Sequence, residues 1–113
     1  MDAEQFVGRI LDDEGIAGDL DESLSMPLIE WLVGRATNAV ATAKTEDDAE
    51  TQVAAIAITG RNIAKVVAAW QTDGPTGAAT TAKDRGCPVP PGSLKSAADV
   101  LKWLQTQVPT QHG

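Results

Sequence analysis

The sequence predicts an all-α chain, a four-helix arrangement built on a long antiparallel helical hairpin with short N- and C-terminal helices. Three observations lead there. The apolar content rests on Ala, Leu, Val and Ile, with no Tyr and a single Phe, a composition that favours helix over strand. Apolar residues in two successive segments recur at spacings of three and four, the period of one helix face. A single register then aligns those two apolar seams when the chain folds back between them.

The first segment, Asp2 to about Glu14, sets Phe6, Val7, Ile10 and Leu11 on one face, and Gly15 is a natural stop. Residues 15–22 read as an ordered loop: glycines and aspartates suit turns, while Ile16 and Leu20 anchor the loop to the core. A second helix is predicted to begin around Ser23 to Pro27, since serine caps well and proline is tolerated in a first turn, and to run to about Lys44. Thr45 then stands three residues before Asp48, with Glu46 and Asp47 complementing the helix dipole, so a third helix starts there. It is predicted to continue to about Gln71, a length of roughly 39 Å, before Asp73-Gly74-Pro75 ends it.

Ala49, Val53, Ile56, Gly60, Ile63, Val67 and Trp70 form the seam of the third helix, and Ile29, Val33, Ala36, Val40 and Ala43 that of the second. Reversal near Lys44–Thr45 sets Ala43 beside Ala49, Val40 beside Val53, Ala36 beside Ile56, Val33 beside Gly60 and Ile29 beside Ile63. Gly60 costs about 1 kcal/mol relative to alanine inside a helix, and close packing is the reason expected for it.

From about residue 72 to 95 the composition turns to Gly, Pro, Thr and Ala, which predicts a long connection with one helical turn near Ala78 to Lys83. Ser96 and Asp99 form a second capping pattern, and Val100, Leu101, Leu104 and Val108 mark a short last helix, followed by a frayed tail over 109–113. At 113 residues the chain suits a single domain spanning 1–113.

The net charge of −7 is unevenly spread. Residues 1–50 carry thirteen acids and three bases, whereas residues 51–113 carry three acids and six bases. An acidic chain repels phosphate backbones, and Arg61, Lys65, Lys83, Arg85, Lys95 and Lys102 are scattered, so nucleic acid is not an expected partner. The complementary halves suit contacts between elements or between two copies. No uninterrupted apolar run approaches the 18 or so residues of a membrane span, and one cysteine cannot close an intramolecular disulfide; the expectation is a cytoplasmic protein without a membrane partner.

Chemistry is sparse. Cys87 is the only thiol and His112 the only imidazole, placed where no element fixes it, so a Cys–His pair is not expected. Asp19, Asp21, Ser23, Ser25 and Glu30 mimic a calcium loop, but Leu24 occupies the position that needs glycine and Pro27 falls within the frame. The residues left as cation candidates are Asp19, Asp21 and Glu22. Phosphate-binding glycine loops, HExxH, paired-cysteine spacings and nucleophile elbows are absent, and no cofactor is expected. Trp31, Ile58, Val66 and Trp70 point off the hairpin seam or extend its apolar surface, which makes them the candidate interface. The sequence therefore favours a non-enzymatic interaction module, an adaptor, assembly or regulatory subunit that binds a protein partner or forms a homodimer. Its alternatives are a small-molecule or metal-binding domain using the acidic loop 12–22, with the loop around Cys87 as a lid, and a small enzyme built on carboxylates.

Overall fold

The computed structural model describes residues 3–18 and 20–108, and within them every regular element is helical. The helices are α1 (Ala3–Leu11), α2 (Glu14–Ala17), α3 (Glu22–Thr42), α4 (Glu46–Arg85) and α5 (Ala97–Gln107). Five helices replace the expected four because Asp13 caps a single extra turn: its Oδ1 accepts the Gly15 N–H at 2.9 Å. The two capping patterns read from sequence are both present. Thr45 Oγ1 accepts the Asp48 N–H at 3.0 Å, and Ser96 Oγ accepts the Asp99 N–H at 3.1 Å.

The long connection expected over 72–95 is corrected: residues 75–85 are helical, and only 86–96 link them to α5. α4 is nevertheless not one rod. A straight helix of its length would span about 60 Å, whereas the longest dimension of the fold is 42 Å. Arg85 Nη1 donates to Asn62 Oδ1 at 3.1 Å, although a straight helix would set those residues roughly 34 Å apart. The second arm (75–85) thus folds back beside the first (46–73).

Gly74 makes the reversal, at φ 71° and ψ −158°, a backbone region that L side chains essentially do not enter. Pro75 follows where a helix start leaves an N–H without a helical partner, and a methyl group on Gly77 would run into Asp73 and approach the Ala69 carbonyl oxygen at 3.1 Å. The arm buries Ala78 and Ala82 and ends at Gly86, which adopts φ 68°. There the Cys87 N–H reaches back to the Ala82 carbonyl at 2.8 Å and the Gly86 N–H to that of Lys83 at 3.3 Å, closing the last turn. The sequence hid this arm because its inner face is made of alanines, too small to announce a helical period, and because Gly-Pro reads as a loop when it marks only a bend.

α4 packs most extensively against α3, α1 lies on α3, and α5 lies on α4 and α3. Phe6, Ile10, Ile16, Leu28, Leu32 and Leu104 are the largest of the fully buried side chains. In α4 the seam from Ala49 to Val67 is buried; in α3, Leu28, Leu32 and Ala39 are buried more deeply than Val33 and Ala43. Gly60 is closely packed as expected, but against Leu32 rather than Val33: a methyl there would overlap Leu32 and come within 3.0 Å of Ile16 Cδ1. Among the described residues α4 is the one helix long and apolar enough to cross a membrane by length and composition, and the apolar residues that qualify it include those that build the core.

Candidate functional site

Three places hold the residues singled out by sequence. At the acidic loop, Asp13 is committed to structure: besides capping α2, its Oδ2 accepts from Arg61 Nε at 2.9 Å, tying the loop to α4. Gly15 lets the Arg61 stem lie against the backbone, since a methyl there would approach Arg61 Cδ at 2.9 Å. Asp21 and Glu22 are exposed at the start of α3, and Asp19 lies outside the described residues. Among the described residues no three Asp, Glu, Cys or His side chains are grouped to hold a metal ion.

The interface candidates separate. Val66 is corrected: it is fully buried, because α1, α2, α3 and α5 all pack on α4 and its second arm folds back beside it, so an off-seam position is also interior. Trp70 is half-buried against the core with its Nε1 shielded and unbonded. Trp31 is half-buried beneath the Arg35 guanidinium, 4.8 Å from the ring centroid, and burial lowers the Arg35 pKa from its ordinary value. Ile58 alone of the four faces water, at 52% exposure. Around it, at spacings of three and four along the outer face of α4, stand Asp47, Thr51, Ala54, Ala55 and Arg61, all exposed. The strip runs from an acid through small apolar residues to a base.

The third place was not located from sequence as a site. A cleft of about 330 Å³ opens between the first arm of α4, the turn at 86–88 and the end of α5. Ile63, Leu104 and Val108 give it apolar walls, Cys87 and Pro88 close one side, and Asn62 and Gln107 bring amides to it. Asn62 also lines an adjoining shallow groove with Lys65, Asp84 and Arg85. Burial pushes the Cys87 thiol above its ordinary pKa, and the nearby Arg85 charge only partly opposes this. A thiol so placed is neutral near pH 7 and is not an activated nucleophile. His112 lies outside the described residues. Gly86 after Lys83 and Arg85 is the one sequence signal, a helix C-terminus, that could have placed this turn. Its partners come together only through the reversal at Gly74.

Compared with family models, with curated proteins and with solved structures, the chain matches none.

Proposed function

We propose that this chain is a non-enzymatic helical interaction module, a cytoplasmic adaptor, assembly or regulatory subunit, that pairs with a second copy of itself through the outer face of α4. The observation that carries the reading is Ile58, a large apolar side chain 52% exposed within a strip whose other apolar residues are Ala54 and Ala55. The strip is self-complementary when two copies lie antiparallel: Asp47 of one faces Arg61 of the other, Thr51 faces Ile58, and Ala54 and Ala55 let the helices approach closely. Arg61 remains 48% exposed while bonded to Asp13, so its guanidinium can serve both carboxylates.

The reading takes α3 and the first arm of α4 as an antiparallel hairpin, which leaves the opposite side of α4 outward. Support comes from Gly60 lying against Leu32, the same register as Ile29 beside Ile63 and Ala36 beside Ile56. About 21 Å of helix separates Asp47 from Arg61, and a strip of that length buries well under the roughly 800 Å² per partner of a standard interface. The pairing is accordingly weak and concentration-dependent.

Sedimentation velocity over a concentration series tests it. The wild type should shift from monomer toward dimer between about 10 µM and 1 mM, and Ile58→Glu should stay monomeric with an unchanged circular dichroism spectrum. A wild type that remains monomeric throughout, or an Ile58→Glu variant that dimerises equally well, contradicts the proposal.

A further inference from the structure

We infer that the cleft beside Cys87 binds a small carboxylate with an apolar body, the body held by Ile63, Leu104 and Val108 and the carboxylate by Arg85. This site is independent of the α4 strip and of the self-association proposed for it.

The cleft volume of about 330 Å³ falls at the lower end of ligand sites and combines mostly apolar walls with a few polar groups. At about 30 Å³ for each water-sized group it admits a body of roughly ten non-hydrogen atoms. What selects the head group is the junction with the groove. Asn62 lines both cavities, and its Oδ1 accepts from Arg85 Nη1 at 3.1 Å, which draws the guanidinium toward the place where the two meet. Arg85 immediately precedes the turn Gly86-Cys87-Pro88 that lines the cleft, and itself lines the groove, so its charge stands at the rim rather than in the cleft wall. A guanidinium offers parallel N–H donors that match a carboxylate, and the amide groups of Asn62 and Gln107 supply further polar contacts. The groove is lined by two cations, Lys65 and Arg85, and one acid, Asp84.

Cys87, the only thiol, reports occupancy without taking part in binding. The test follows the rate of Cys87 alkylation by iodoacetamide in the intact chain, with octanoate as the probe and octanol as its neutral counterpart. Octanoate should slow alkylation at least fivefold, saturating with a midpoint on the order of 0.1–1 mM. Octanol should require a concentration about tenfold higher. Arg85→Gln should abolish the advantage of octanoate over octanol, and Lys83→Gln, an exposed cation in the same helical turn, should keep it. The inference is overturned if 10 mM octanoate leaves the rate unchanged, if octanol protects as well as octanoate in the wild type, or if Arg85→Gln, folded by circular dichroism, retains the full preference. Should Arg85→Gln fail to fold, the wild-type comparison of octanoate with octanol decides alone.

Discussion

Isoleucine stands on both the inner and the outer face of α4 and meets opposite fates there. Val53, Ile56, Ile63 and Val67 on the inner face are at most 3% exposed, while Ile58, two residues after Ile56, is 52% exposed. Helical phase decides which isoleucine is core, because two residues along a helix rotate a side chain by about 200°. Burying a side chain of this kind is worth about 1.5–3 kcal/mol. The inner face has gained that energy in full within the chain, whereas half-exposed Ile58 has gained only part of it.

The comparison can be broken most sharply from inside. Leu32 is fully buried against the backbone of Gly60, so Leu32→Ala should cost about 2–5 kcal/mol in urea denaturation; a loss under about 1 kcal/mol would mean that the two helices are not closely packed there. At the reversal between the arms, Gly74→Ala forces a side chain into a backbone conformation that glycine alone tolerates, and should cost about 1–3 kcal/mol. Hydrogen exchange locates the effect: amides of residues 76–85 should lose protection ahead of those in 49–67, and uniform loss would show the arms to be one cooperative unit. The smallest effect is expected at Trp70, whose Nε1–H is buried without an acceptor. Trp70→Phe removes that unmatched donor along with some apolar area, so stability should change by less than about 1 kcal/mol. A loss of several kcal/mol would show that the indole makes an interaction the geometry does not display.

Legibility in the sequence followed side-chain size. The seam of the first arm of α4 was readable because Val and Ile recur at a helical period; that of α3 was only partly so, since Leu28, Leu32 and Ala39 are buried where Val33 and Ala43 were expected. Both hydroxyl caps were readable because Thr45 and Ser96 each precede an aspartate by three residues. The second arm was not, since Ala78 and Ala82 carry its burial and Gly74-Pro75 imitates a longer break. That single omission concealed the cleft as well, because Asn62, Cys87 and Leu104 become neighbours only once the arm folds back. Val66 was misplaced for a related reason: the seam pattern describes one contact face, and α4 is enclosed on more than one side. Asp13 looked like one of many loop acids, and its bond to Arg61 across 48 residues has no local signature.

The most direct test of the central claim is a charge-reversal cycle on the outer face of α4, read as the dimerisation constant by sedimentation equilibrium. Asp47→Arg and Arg61→Glu should each weaken dimerisation by roughly two- to thirtyfold, since every antiparallel pair contains the contact twice and an exposed ion pair is worth about 0.2–1 kcal/mol. The double variant should recover to within a few-fold of the wild type, although it shares with Arg61→Glu the loss of the bond to Asp13. A double variant as weak as the two losses combined would contradict antiparallel pairing through this face.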